Sequence, residues 1–136
     1  MKSLDLQPLF PLPNVVLFPK GILPLHIFEP RYRTMMADTL QGGQTLCMVL
    51  LRPGWEADYH SSPAVYGTGC VGRVVQHQKL EDGRYNIALH GETKVAIEGF
   101  TQEQPYRIAR VREVEEDRSW AASSDVEREV AELLAL

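Results

Sequence analysis

Two proline-punctuated stretches near the N-terminus decide the fold: LFPLPNVVLFP at residues 9–19 and LPLHIFEPRYR at residues 23–33. Proline cannot donate to a strand ladder and is typical of sheet edges. Residues 6–18 are therefore predicted to be extended and to wrap along the rim of a sheet. Residues 22–28 predict a second strand. Glu29 and Pro30 then predict the start of a helix, because proline suits the first helical position and an acid suits the positive end of the helix dipole.

The helix is predicted to run from about Pro30 to Leu40 and to stop at Gly42-Gly43, a pair typical of a helix C-cap. Its inner face is predicted to carry Tyr32, Met35, Met36 and Leu40. Residues 45–51 are continuously apolar, which predicts a strand that is buried on both faces.

The rest of the chain up to residue 114 reads as a loop followed by strands. The loop is predicted to last until about residue 64 and strands are predicted at 69–80, 84–90, 93–98 and 106–114. Asp82-Gly83 predicts a hairpin turn, and Gly91-Glu92 predicts another turn. This pattern predicts a mainly β, α+β domain with one short helix after the second strand.

The C-terminal segment changes character. Ser124 followed by Glu127 fits a capping box, which predicts the start of a helix. Four apolar residues then share one predicted helical face: Val126, Val130, Leu133 and Leu134. We therefore expect one domain at residues 1–116 and, at 117–136, an acidic linker with the first part of an incomplete helical region.

The charge distribution gives no general attraction to nucleic acid or lipid. The formal net charge is −4, and residues 113–136 hold eight acids against two bases. Prolines interrupt the apolar run at 9–25 four times, which excludes a membrane-spanning helix there. No signal peptide is recognisable, so the sequence favours a cytoplasmic protein. Cys47 and Cys70 are predicted to be buried, reduced thiols.

Motifs for catalysis are missing from the 136 residues. The sequence has no P-loop, no G-x-S-x-G and no H-E-x-x-H pattern. Gly67, Gly69 and Gly72 fit G-x-G-x-x-G, but a strand-like segment follows where a helix is required, so they are predicted to mark bulges or close strand crossings. The four histidines lack metal-ligand spacing. We predict a non-enzymatic domain without metal or cofactor.

The two opening stretches closely resemble the start of the Lon protease N-terminal domain. The segments at 71–72, 82–86 and 89–91 resemble later hairpins of the same family, so the resemblance covers about residues 6–116. It implies a PUA-like pseudo-barrel followed by a helical region, and a role in engaging unfolded or tagged protein segments and neighbouring subunits. Lys20 departs from the family, which usually has glycine after Phe-Pro, and the ATPase and Ser-Lys peptidase parts of Lon are absent.

These observations favour a protein-binding module whose partners are unfolded or degradation-tagged segments, and further a protease or other copies of the chain. Trp55 and Tyr59 are candidate contacts, since aromatic loop residues are frequent interface anchors; alternatively they fold back over the barrel end. The face formed by Val126, Val130, Leu133 and Leu134 is the second candidate.

The alternative function is RNA binding, because PUA-like barrels also occur in RNA-binding proteins. The basic residues that would then line a groove are Arg73, Arg84, Arg107, Arg110 and Arg112. Neighbouring acids such as Glu98 and Glu103 favour cross-strand ion pairs instead. A hydrolase activity has no motif in its support.

Overall fold

Six strands and one helix make up most of residues 5–59 and 63–114, the part of the chain that the computed structural model describes. In chain order they are β1 (Leu6–Leu12), β2 (Ile22–Ile27), α1 (Pro30–Gln41), β3 (Thr45–Leu51), β4 (Val65–Lys79), β5 (Tyr85–Gln102) and β6 (Ile108–Glu113). A short 3-10 helix, Trp55–Asp58, lies between β3 and β4. The mainly β prediction with one helix after the second strand is confirmed.

The sheet closes on itself through its longest strand. The strand order is β2-β5-β4-β3-β1-β6, and the second half of β5 also pairs with β6. Five strands thus form a closed barrel, while β2 pairs only with the first half of β5. The β4–β5 pairing contains two bulges, one with Glu92 as the extra residue in β5 and one with Val75 as the extra residue in β4, and bulges of this kind bend a sheet. The predicted pseudo-barrel is confirmed; the segment 117–136 lies outside the described residues.

The first strand is inside the sheet, so the prediction that it follows a rim is wrong. β1 pairs with β3 on one side and with β6 on the other. Successive N–H groups of a strand point to opposite sides, and the Leu9 N–H donates to Arg107 of the β6 side. Pro8 therefore faces β3, where pairing starts only at Leu9. Pro11 faces β6 beyond the last pair, so neither proline removes a ladder hydrogen bond.

The predicted turn at Gly91-Glu92 is also wrong, because both residues lie within β5, which is 18 residues long. Val71 pairs with Thr93 and Gly72 pairs with Gly91, which leaves Glu92 as an extra residue in the strand. A bulge of this kind bends a strand without ending it. The alternation of apolar and polar residues on both sides of Gly91 belongs to one strand.

Two clusters of apolar side chains lie on opposite faces of this sheet. The barrel interior is filled by one residue or more from each of its five strands: Leu9, Cys47, Val49, Val71, Val95, Ala109 and Val111. The other cluster includes Tyr32, Met35 and Met36 of α1, which cover the opposite face of the sheet. Both cysteines are buried and free, as predicted, and burial raises the pKa of the Cys47 thiol to about 12.

Lys20 occupies a turn that favours glycine, which is the residue that the Lon family usually has there. Its φ is 70°, in the left-handed region that costs a residue with a Cβ about 1 kcal/mol. We expect Lys20→Gly to raise the free energy of unfolding by about 0.5–1 kcal/mol in urea titrations. Lys20→Ala, which removes the charge but keeps the Cβ, is expected to bring no gain; equal stabilisation by both would contradict the backbone explanation.

Candidate protein-binding cleft

An open cleft of about 370 Å³ lies between the start of α1 and the turn that joins β5 to β6. We call it the α1 cleft. Its lining residues are Glu29, Pro30, Arg31, Thr34, Gln104 and Pro105. Its lining is mixed: the two prolines are apolar, Glu29 and Arg31 carry opposite charges, and the other two side chains are polar.

The start of α1 builds the first wall. Pro30 occupies the beginning of the helix as predicted, and Glu29 is the N-cap with an extended backbone. The Glu29 carboxylate does not cap the helix. It instead accepts hydrogen bonds from the Arg31 Nε, at 3.3 Å, and from the Tyr59 hydroxyl. The helix start and the loop at 52–59 are thereby joined.

The two predicted aromatic contacts, Trp55 and Tyr59, lie beside this wall. Their rings meet edge to face with centroids 5.3 Å apart. Arg31 donates from Nη2 to the Tyr59 carbonyl at 3.0 Å, and its guanidinium lies 5.2 Å from the centre of the Tyr59 ring. Both aromatic residues are half-buried. The loop thus packs against the helix start and keeps part of each ring accessible.

The second wall is held to the first by Tyr106. Its hydroxyl donates to Asp38 Oδ2 of α1 at 2.7 Å, and its carbonyl accepts from Gln102 Nε2 at 2.9 Å. Burial, with the Asp38 carboxylate as its hydrogen-bond acceptor and neighbouring charge, raises the pKa of Tyr106 to about 12. The neutral hydroxyl is therefore the form that links Asp38 of α1 to the segment after the β5–β6 turn.

This raised pKa predicts a loss of stability in alkaline solution. An unfolded tyrosine ionises near pH 10, so the stabilisation from the neutral Tyr106 is complete below pH 10 and is lost as the pH rises towards 12. We expect the free energy of unfolding to fall less steeply over this range in Tyr106→Phe than in the original chain. Guanidinium titrations at several pH values measure how the free energy of unfolding of each protein changes with pH. The same change in both proteins would show that Tyr106 does not cause the loss of stability.

The arginines of α1 tie the helix to carbonyl groups. Besides the Arg31 contact with Tyr59, Arg33 donates to the carbonyls of Phe28 and Asp82 at 2.8 and 2.9 Å. Asp82 and Gly83 form the predicted hairpin turn, with Gly83 at a φ of 91°. The helix is thereby attached to the β4–β5 hairpin as well as to the cleft.

The basic residues proposed for RNA binding are largely engaged within the domain. Three of them form ion pairs with acids: Arg73 with Glu92 at 3.1 Å, Arg84 with Asp82 at 2.6 Å and Arg112 with Glu98 at 2.9 Å. Arg107 is buried and Arg110 is exposed. Ion pairs of this kind weaken the attraction of the arginines for phosphates, so these contacts do not support RNA binding.

Two of the three glycines of the pattern on β4, Gly69 and Gly72, serve close packing as predicted, whereas a Cβ on Gly67 would meet nothing within 4 Å. A Cβ on Gly69 would lie 2.5 Å from the Met48 carbonyl oxygen, and one on Gly72 would lie 2.7 Å from Leu17 Cδ2. No helix follows, because β4 continues to Lys79. Among residues 5–59 and 63–114, no group of three or more potential ligands could hold a metal ion. No helix in these same ranges is long and apolar enough to cross a membrane.

Comparison with known proteins places this arrangement in a family. The family described as the ATP-dependent protease La (LON) substrate-binding domain matches residues 7–136. The chain belongs to this Lon substrate-binding domain family. It is 35% identical to Lon protease 2 of Syntrophobacter fumaroxidans over 111 residues, and 32% identical to Lon protease of Anaeromyxobacter dehalogenans over 137 residues. These alignments cover 82% and 93% of the chain but only 14% and 16% of the two relatives.

A solved structure shares the fold. The crystal structure of a Lon N-terminal domain protein from Xanthomonas campestris superposes with a TM-score of 0.65 and 21% identity. The match covers 96% of this chain and 75% of that one. The resemblance deduced from the opening stretches is therefore confirmed at the level of the family and of the fold.

The sequence did not point to part of the α1 cleft. Thr34, Gln104 and Pro105 were not among the predicted contacts, because the helix and the β5–β6 turn are some 70 positions apart in the chain. The proline after Gln104, between two strand-like segments, was the one available signal of a rigid turn. The predicted face of Val126, Val130, Leu133 and Leu134 lies outside the described residues.

Proposed function

We propose that this domain binds unfolded or exposed segments of other proteins at the α1 cleft and performs no chemistry on them. The observation that carries the proposal is the agreement between a family of substrate-binding domains and an open cleft bordered by half-buried aromatic rings. Such rings contribute a large contact area at a low cost in side-chain entropy.

The polar groups of the cleft favour binding over catalysis. The Thr34 hydroxyl donates to the Pro30 carbonyl at 3.2 Å, so it is not directed at a base. The Glu29 carboxylate is occupied by Arg31 and Tyr59. Groups held in this way can orient a bound chain, whereas nucleophilic catalysis needs a hydroxyl or thiol within reach of a free base.

The first experiment compares the domain with a Trp55→Ala, Tyr59→Ala variant. Reduced, carbamidomethylated α-lactalbumin serves as an unfolded partner, and binding is measured by fluorescence anisotropy. We expect the double variant to bind about tenfold more weakly, since each aromatic anchor contributes about 1 kcal/mol or more. Ile22→Ala, which removes an exposed apolar side chain on β2, away from this loop, is the control. Equal binding by the double variant and the original domain would end the assignment of this loop.

A second pair of variants tests the cleft itself without touching the aromatic loop. Thr34 is exposed on the part of α1 that lines the cleft, and Gln41 is exposed at the far end of the same helix. Thr34→Trp is expected to fill the cleft and weaken binding of the unfolded partner, whereas Gln41→Trp is expected to have no effect. The opposite order would move the site away from the cleft.

We further propose that the face of Val126, Val130, Leu133 and Leu134 binds a second copy of the chain or a protease that receives the bound segments, in the cytoplasm. The support is the sequence pattern, since a short apolar helix needs a partner to cover it. Analytical ultracentrifugation of the full chain and of a Leu133→Glu, Leu134→Glu variant tests self-association. A monomer in both cases would leave the separate protease as the partner to be tested.

A further inference from the structure

Arg107 is a largely buried cation that forms no ion pair within residues 5–59 and 63–114. The residue is 7% exposed, and its guanidinium lies 5.4 Å from the centre of the Phe100 ring. Burial lowers the pKa of Arg107; the charges of Tyr32 and Glu103 oppose this shift, and the charge of Arg31 adds to it. Within the described part of the chain, the Arg107 guanidinium has no ion pair and donates no hydrogen bond.

A second group without an acceptor lies close by. Tyr32 is 6% exposed; burial and the charge of Glu29 raise the pKa of its hydroxyl, while the charges of Arg31 and Arg107 oppose this shift. The guanidinium of Arg31 lies 4.8 Å from the centre of the Tyr32 ring. Among residues 5–59 and 63–114, no group accepts a hydrogen bond from this hydroxyl. Arg31 itself uses Nε and Nη2 for Glu29 and Tyr59, which leaves Nη1 for another acceptor.

Arg31, Tyr32 and Arg107 thus lie close enough to influence one another's ionisation, and Arg31 lines the α1 cleft. Partial burial without an ion pair disfavours a cation, so an anion that arrives with a ligand would complement it. A guanidinium presents two parallel N–H groups, which match the two oxygens of a carboxylate. Phe100 beside Arg107 is 42% exposed and provides an apolar surface for the carbon atoms of the same ligand.

The burial of Arg107 also indicates which carboxylate fits. The cleft is open, but the Arg107 residue as a whole is only 7% exposed, so little of its side chain reaches solvent. An acidic side chain can reach such a group on one or two methylenes while its main chain stays in the cleft. The carboxylate at a chain end is attached directly to the backbone and would have to bring the backbone in with it.

We propose that Arg107, Arg31 and Tyr32 form a receptor for the side-chain carboxylate of an aspartate or glutamate in the bound protein segment. This inference rests on the proposed function and deepens it: the preferred segments carry an acidic residue next to apolar ones. Arg107 is the specificity-determining residue, because it makes the ion pair.

The test uses three labelled, unstructured decapeptides that share a leucine-rich sequence. One has a central glutamate and an amidated C-terminus, the second has glutamine in place of the glutamate, and the third has the glutamine with a free C-terminal carboxylate. Anisotropy titrations of the full chain are expected to give about tenfold tighter binding for the glutamate peptide than for either other peptide. Tighter binding of the third peptide instead would overturn the side-chain assignment in favour of a chain end.

Arg107→Met keeps most of the apolar volume and removes the charge. We expect it to bind the glutamate and glutamine peptides equally and to melt at the same temperature as the original chain or higher, because an unpaired buried charge is removed. Arg110→Met removes one exposed charge from the same strand and should keep the tenfold preference. A preference that survives Arg107→Met would overturn the proposal.

A readout that does not need peptide binding separates this receptor from the proposed function. In NMR spectra, N-acetylglutamate amide is expected to shift the Arg107 Nε–Hε signal, and N-acetylglutamine amide is not. Absence of that shift would rule out the proposed receptor, whatever affinities the peptide titrations give. A shift without any binding of unfolded α-lactalbumin would keep the receptor and remove the proposed function.

Discussion

Gly91→Ala is expected to lower the free energy of unfolding by about 3 kcal/mol or more, and the melting temperature by about 10 °C or more. A Cβ at this position would lie 2.8 Å from the carbonyl carbon of Phe18 and would overlap the carbonyl oxygen. The obstacle is backbone, so no side-chain rotation can relieve it.

The neighbouring hydrogen bonds prevent the Phe18 segment from moving aside. The Gly91 N–H donates to the Gly21 carbonyl at 2.8 Å, and the Gly91 carbonyl accepts from the Lys20 N–H at 2.7 Å. Leu17, just before this turn, is buried in the core cluster. Relief of the overlap would therefore cost both hydrogen bonds and the burial of Leu17.

Gly67→Ala is the matched control, because a Cβ there would meet nothing within 4 Å. Thermal unfolding followed by circular dichroism is expected to leave Gly67→Ala within about 0.5 kcal/mol of the original chain. Similar stability of the two alanine variants would show that the 18–21 turn does not lie on Gly91.

Met36→Ala is the second substitution expected to have a large effect, with a loss of about 3 kcal/mol. Met36 is fully buried, and with Tyr32 and Met35 it attaches α1 to the sheet. Removal of the Met36 side chain leaves a cavity, and α1 cannot move to close it because the helix is held at both ends. Because α1 forms a wall of the cleft, the variant is also expected to bind the unfolded partner more weakly.

Urea titrations measure this loss, and Thr34→Ala provides the comparison on the same helix. Thr34 is exposed, so its replacement is expected to change the free energy of unfolding by no more than about 0.5 kcal/mol. A small effect of Met36→Ala would mean that the helix is held by its arginine contacts and not by its apolar face.

Local signals in the sequence predicted the elements whose causes are local. α1 begins at Pro30 and ends within one residue of the predicted end, because a proline and a glycine pair mark its limits. β3 has the predicted bounds, since a continuous apolar run suits a strand buried on both faces. Asp82-Gly83 predicted its hairpin because the turn needs a residue that tolerates a positive φ.

The errors concern long-range pairing. Pro8 and Pro11 predicted a rim strand, yet β1 lies between β3 and β6. The sheet tolerates both prolines because Pro8 faces β3 before the β1–β3 pairing begins, and Pro11 faces β6 after the β1–β6 pairing has ended. Gly91 was interpreted as a turn residue, whereas the structure needs a glycine there because Phe18, more than 70 positions earlier, leaves no room for a Cβ. Neither cause is visible within a window of the sequence.

The candidate site was predictable only in part for the same reason. Trp55 and Tyr59 stood out as aromatic residues in a loop, but the partners of Tyr59, Glu29 and Arg31, come from a helix start 30 and 28 positions away. The receptor formed by Arg107 with Tyr32 could not be anticipated, because burial and the lack of an acceptor are properties of the folded chain.

The most direct test of the central claim is a map of the surface that an unfolded protein contacts. Amide signals of the isotope-labelled full chain are recorded while carbamidomethylated α-lactalbumin is added. The account predicts that the largest changes fall on the α1 cleft, at Arg31, Thr34 and Gln104, and on the neighbouring Tyr59. Changes concentrated instead on the exposed apolar residues Ile22, Phe28 and Val75, with the cleft unaffected, would contradict it.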